Sequence, residues 1–233
     1  MTPIILIHGG GLDRRCWVWL VPHLDEPVLA VDLPGRGMHP APLELVTFSD
    51  CAASVRDDID MAGFDTVVLV GHSLAGCSMP AMIGLLGERV RHAVFVGCTV
   101  PEDGQSSFDT LDPEIQAMIR EAPAPLEPRA MDAALVKIVL GNDLDDEQFA
   151  WCIERLVPEA PRLTTDPVDL EPLRTPMPRT WVRTLQDIIV PAQKQLRFAD
   201  NVGNCPVVDI DSGHMCMISQ PAALAAILND IAA

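Results

Sequence analysis

The sequence predicts an α/β fold: a doubly wound, mostly parallel sheet of six strands, with helices on both faces and a helical cap. Three observations carry this. Short runs of apolar and β-branched residues stop at Gly or Pro, as strands buried on both faces do. Segments with helical spacing separate them, which calls for parallel strands joined by crossover helices. The rhythm then breaks from Val100 to about Pro178, where a Pro-rich stretch has helical but no strand patterning.

The elements follow in order. Pro3–Gly9 is an apolar strand that runs into His8-Gly9-Gly10-Gly11. Asp13–Leu24, with Trp17, Trp19, Leu20 and Leu24, reads as a short helix. Pro27–Leu33 is the second strand, closed by Pro34-Gly35-Arg36-Gly37. Phe48–Ala62 is a helix, with Thr47 or Ser49 as N-cap and Gly63 as the stop. Thr66–Val70 is the third strand. It enters Gly71-His72-Ser73-Leu74-Ala75-Gly76 and then a helix from Ala75 to Leu86. Val90–Cys98 is the fourth strand. Arg179–Leu185 and Pro206–Ile210 are the fifth and sixth, followed by helices Pro191–Asn201 and Pro221–Ala232. The core is therefore residues 1–99 and 179–233. Residues 100–178 form an inserted cap with helices at Asp112–Glu121, Pro128–Leu140 and Asp145–Val157.

A net charge of −17 argues against nucleic acid and anionic membranes as partners, since both repel such a surface. No apolar run spans a bilayer, and no basic segment precedes an apolar one at the N-terminus. The expected location is the cytoplasm and the expected partner a small-molecule substrate; a homodimer is left open. Cys16, Cys51, Cys77, Cys98, Cys152, Cys205 and Cys216 are scattered, with no Cys-x-x-Cys pair. Reduced thiols are expected. No His or Cys pair has ligand spacing, so neither a metal nor a cofactor is expected.

Three reactive side chains, Ser73, Asp187 and His214, each stand just beyond a predicted strand. In an open parallel sheet those carboxyl ends form the crevice where ligands bind. The order Ser, acid, His suits nucleophilic catalysis. Serine attacks when His takes its proton; the acid sets the imidazole tautomer and stabilises the imidazolium. The turn around Ser73 needs small neighbours, supplied by Gly71, Ala75 and Gly76. The amides of Gly10 and Leu74 are the candidate oxyanion donors. Asp103 is a rival acid and Asp211 a loop carboxylate. His8 and His72 read as loop-fixing hydrogen bonders. Gly11, Phe108, Met118, Leu135, Trp151 and Met215 are candidate pocket residues, with Met79 and Met217 beside them; core packing is the alternative for each apolar one.

These motifs resemble the α/β-hydrolase superfamily over nearly the whole chain: the His8-Gly9 loop, Asp32-Leu33-Pro34-Gly35-Arg36-Gly37, Gly71 to Gly76, Asp187 with Pro191, and Gly213-His214. Val100-Pro101-Glu102-Asp103-Gly104-Gln105-Ser106 and Gln186-Asp187 look like the plant methylesterase and hydroxynitrile lyase branch and its bacterial relatives. The resemblance implies a fold without metal or cofactor and a triad of Ser73, Asp187 and His214. The chain departs from the fullest version by lacking two N-terminal antiparallel strands. The activity implied is cleavage of an ester, thioester or lactone of a small, largely apolar substrate through an acyl-enzyme. Alternatives on the same triad are a hydroxynitrile lyase, a C–C bond hydrolase or a haloperoxidase-like side activity. A non-enzymatic ligand receptor is the alternative from another class. The lyases of this branch carry a lysine just after the catalytic His and bulkier residues in the oxyanion loop; here stand Met215, Gly10 and Gly11.

Overall fold

The computed structural model describes residues 2–121, 133–203 and 205–233. Its strands are β1 (Ile4–Ile7), β2 (Val28–Val31), β3 (Val67–His72), β4 (Val90–Val96), β5 (Arg179–Thr184) and β6 (Val207–Ile210). They form one sheet in the order β2-β1-β3-β4-β5-β6, every neighbouring pair parallel. The helices among the described residues are α1 (Phe48–Met61), α2 (Ala75–Leu86), α3 (Pro113–Glu121), α4 (Ala133–Val139), α5 (Asp146–Ile153), α6 (Arg162–Thr165), α7 (Ala192–Val202), α8 (Cys216–Ser219) and α9 (Pro221–Ala232).

The strands read as unbroken apolar runs because both faces of the sheet are covered. Ile5, Ile7, Leu69, Phe95 and Trp181 enter one core with Val55 and Ile59 of α1, Met82 of α2 and Phe198 of α7. Ile4, Leu6, Val70, Val94 and Val182 enter the other with Trp17, Leu20, and Leu224 and Leu228 of α9. Thr47, not Ser49, caps α1. Its Oγ1 accepts from the Asp50 amide at 3.2 Å, and the Asp50 carboxylate accepts from the Thr47 amide at 2.9 Å.

Asp13–Leu24 differs from expectation. It forms two 3-10 turns, Arg14–Trp17 and Val21–His23, rather than one helix. Pro22 cannot donate within a helix, and the Asp13 side chain draws in the Arg15 amide. The stretch between β4 and β5 packs on both cores. Val136, Leu140 and Cys152 join the α9 side; Leu163, Val168, Leu170 and Leu173 join the α1–α2 side. The helix expected over Pro128–Leu140 is α4, which starts at Ala133; positions 128–132 lie outside the described residues.

The sheet order also locates a crevice. From β1 the chain goes outward to β2, then crosses back to β3 on the other side of β1. Where direction reverses, the loops after β1 and β3 splay apart and leave room for a ligand. Those loops are His8-Gly9-Gly10-Gly11 and the turn at Ser73.

Candidate active site

The chain passes from β3 into α2 around one strained residue. Ser73 has φ 54°, the only positive φ of a non-glycine among the described residues. Such a conformation costs about 1–3 kcal/mol and persists only where the surroundings force it. Here the Ser73 amide donates to Val96 O at 3.1 Å, and Ser73 O accepts from the amides of Gly76 and Thr99 at 3.0 Å. Two glycines make this possible. A Cβ on Gly76 would stand 2.5 Å from Thr99 O, and one on Gly9 would stand 2.8 Å from Ser73 Cβ. The loop after β1 therefore lies directly against the serine.

The Ser73 hydroxyl donates to His214 Nε2 at 2.8 Å, and His214 Nδ1–H donates to Asp187 Oδ2 at 2.6 Å. The partners set the tautomer: Nδ1 carries the proton and Nε2 is free to take one. Asp187 is nearly buried, at 6% exposure. Burial pushes its carboxyl pKa up, but the facing His214 and hydrogen bonds from the Val190 amide and the Thr184 hydroxyl bring it below its ordinary value overall. Asp187 thus stays ionised in a site that excludes most water. His72 Nε2–H donates to the His214 carbonyl at 2.9 Å and fixes the backbone that carries the imidazole.

A cavity of about 310 Å³ opens at Ser73, lined in part by Gly10, Gly11, Leu74, Leu140, Ile189 and His214. The amides of Gly10 and Leu74 donate to no protein group among the described residues. The Gly11 amide is taken: it donates to Glu159 Oε2 at 2.9 Å. Glu159 also pairs with Arg36, whose side chain is 1% exposed. An ion pair anchored in the stretch before α6 thus pins the glycine loop, while the Gly10 amide stays open to the cavity.

The model of the alpha/beta hydrolase family matches residues 4–227. The chain belongs to that family. It is similar to the putative methylesterase 14, chloroplastic, of Arabidopsis thaliana, 32% identical over 116 residues that cover 48% of this chain and 33% of that protein. The match thus spans about a third of that relative's length. Polyneuridine aldehyde esterase of Rauvolfia serpentina is 26% identical over 97% of this chain and 94% of its own. Among solved structures, an extracellular alpha/beta-hydrolase from a Paenibacillus species superposes with a TM-score of 0.86 over 100% of this chain and 99% of its own, at 20% identity. That protein is described as sharing structural and functional homology with tobacco salicylic acid binding protein 2.

The structure of this alpha/beta hydrolase corrects part of the expected pocket. Phe108 does not line the cavity; Arg120 stacks over its ring at 5.1 Å. Trp151 is drawn away by an edge-on contact with Trp19 and by Arg155 over its ring at 4.6 Å. Met215 is fully buried in the α9-side core although it follows His214 directly, and Met217 joins it. Met79 packs in the opposite core. The side chains of Met118 and Leu135 lie outside the described residues. Asp103 accepts the Leu170 amide at 2.9 Å, and Asp211 accepts from Gln186 at 2.7 Å; neither meets His214. Gly11 does reach the cavity wall.

Among the residues of the candidate site that sequence reasoning missed, four stand out. Gln195 is completely buried and clamps the Asp187 loop: it accepts from the Thr184 amide at 3.1 Å and donates to Val190 O at 2.7 Å. Thr184 donates its hydroxyl to Asp187 at 2.9 Å. Glu159 and Lys194 both line the cavity. No local signal in the sequence announces any of the four: their partners come together only when the chain folds. Among the described residues, no group of three or more His, Cys, Asp and Glu side chains could hold a metal.

His8 and His72 of the hydrolase are buried as neutral rings. Burial lowers the pKa of His8 to about 4 and that of His72 to about 3. An unfolded His titrates near 6.5, so below that pH the unfolded chain binds protons that the folded chain refuses. Stability is complete above pH 6.5 and falls as pH drops toward 4. Urea midpoints at pH 7.5, 5.5 and 4.5 should decline steadily, and His72→Gln should show a shallower decline. A flat profile would remove the neutral-histidine reading.

Proposed function

We propose that this protein is a serine hydrolase that cleaves an ester, thioester or lactone of a small, largely apolar substrate through an acyl-enzyme. One observation carries the reading: Ser73 Oγ, His214 and Asp187 are in continuous hydrogen-bond contact beside a cavity bordered by the free amides of Gly10 and Leu74. As Ser73 Oγ attacks the substrate carbonyl carbon, His214 Nε2 takes its proton. The carbonyl oxygen gains negative charge and accepts from the Gly10 and Leu74 amides. His214 then gives the proton to the departing alkoxide, leaving an acyl group on Ser73. Water enters, loses a proton to His214 and attacks the acyl carbon; the bond to Ser73 Oγ breaks, the acid leaves, and Ser73 Oγ takes the proton back from His214. Relatives named methylesterase and esterase support an esterase activity of this kind.

The lyase alternative is less well supported. The residue after His214 is an uncharged methionine turned into the core, so the position beside the base offers no cation to a departing cyanide, and the lysine that lines the cavity, Lys194, bonds to Thr110 rather than to Ser73 or His214. An intact triad is compatible with a receptor, but a binding protein needs no strained serine against a histidine, which favours the enzyme reading. The test is a fluorophosphonate probe followed by assays on p-nitrophenyl and methyl esters, thioesters, lactones and mandelonitrile. Stoichiometric labelling of Ser73 and cleavage of an ester without cleavage of mandelonitrile are expected. Ser73-dependent breakdown of mandelonitrile faster than any ester would establish the lyase, and binding without labelling or turnover a receptor.

A further inference from the structure

The cavity at Ser73 holds a charge that ester cleavage does not use. Two ionic side chains reach it, Glu159 and Lys194. Glu159 is fully engaged. Its Oε1 faces Arg36 and the Ala160 amide, and its Oε2 the Gly11 amide. Its charge is therefore matched inside the fold. Lys194 has no carboxylate match among the described residues: besides Thr110, its ammonium faces the Phe198 ring, with Nζ 5.6 Å from the centroid. Its Nζ donates to Thr110 O at 2.6 Å and, among the described residues, to no carboxylate. Asp112 acts on it from beyond hydrogen-bond range and Arg197 opposes it. An ammonium has three N–H donors, so two remain for a ligand. It stands half-buried in the wall formed with Thr110, Ile189 and Val190, where burial lowers its pKa. A partly desolvated ammonium without an anion in contact is costly. The molecule as a whole, at net charge −17, repels anions. A local cation is what an anionic ligand requires here, and Lys194 is one of only two lysines in the chain.

We infer that Lys194 is a specificity-determining residue that selects substrates with a carboxylate at the end not being cleaved. This rests on the serine-esterase reading above and narrows its substrate to one that is apolar in its spacer and anionic at its far end. The substrate class is a half-ester of a short dicarboxylic acid. Lys194 bonds to Thr110 rather than to Ser73 or His214, so the anion and the scissile carbonyl are held by separate groups. The aliphatic walls suit a methylene spacer, and a volume of about 310 Å³ admits only a small acid.

The test compares kcat/KM for monomethyl succinate, glutarate and adipate with methyl butyrate, pentanoate and hexanoate. A hydrogen bond to a charged group implies a preference of about 10–100-fold for the half-esters at the best length. Lys194→Gln keeps an N–H for Thr110 and removes the charge; it should bring the ratio near one, as should Lys194→Met. Lys194→Arg should retain most of the preference. A purely structural role would lower both substrates together and leave the ratio alone. A wild-type ratio near one at every length, or an unchanged ratio in Lys194→Gln, overturns the inference. Fluorophosphonate labelling of the same preparations separates the two readings. Labelled enzyme without the preference overturns the role of Lys194 alone; unlabelled protein that cleaves no ester overturns both.

Discussion

Ser73→Ala should lower ester turnover by about three orders of magnitude or more, because nucleophile, base and acid act as a unit and removing one member forfeits most of their combined effect. Stability should change little. Alanine meets the same backbone strain at φ 54° as serine does, so only the bond from Oγ to His214 is lost. Such a bond contributes about 0.5–1.5 kcal/mol, which for a chain of this size moves Tm by a few degrees. Labelling by a fluorophosphonate should vanish in the same variant. Turnover near that of the wild type would mean that another residue is the nucleophile.

Asp187→Asn should lower turnover by about 10³–10⁴-fold. The present carboxylate accepts three hydrogen bonds: from His214 Nδ1, the Thr184 hydroxyl and the Val190 amide. An amide fills the same space but offers an N–H toward His214 or Thr184. Either choice leaves the imidazole in the wrong tautomer or its partner unsatisfied, and the imidazolium loses its counter-charge. Asp103→Asn is the control. Asp103 lies on the loop after β4 and, among the described residues, accepts only the Leu170 amide, a bond that asparagine can also accept. Its effect on turnover should be less than about threefold. The kcat of both variants on one ester decides the matter; a larger loss from Asp103→Asn would transfer the acid role to the loop after β4.

The parts of the site that were legible in the sequence are those governed by local sterics. Gly71 to Gly76 after a β-branched run specifies a tight strand-to-helix turn, since few other sequences tolerate a residue at φ 54° between strand and helix. The glycines after β1 announce a close backbone approach, and Gly9 packs against Ser73 as that demands. The pocket was much less legible. Trp151 and Phe108 have the size and apolar surface of pocket residues, but each spends its ring on a cation, and Trp151 also on a second tryptophan. No local rule announces such pairings. Met215 is adjacent to His214 in the chain, yet the turn into α8 rotates it into the core.

The sequence by itself determined the α/β class, the parallel sheet, the strained serine turn and the three reactive residue types at strand ends. Periodicity and the small-residue requirement of a turn act over a few positions, so they survive without knowledge of the fold. The tertiary structure alone decided which carboxylate meets His214, that Gln195 holds the Asp187 loop, and that Arg36 draws Glu159 onto the glycine loop. It alone brought Lys194 to the cavity wall. Those contacts join residues far apart in the chain. They exist only after the burial of two apolar faces has fixed the sheet order and brought the strand ends together.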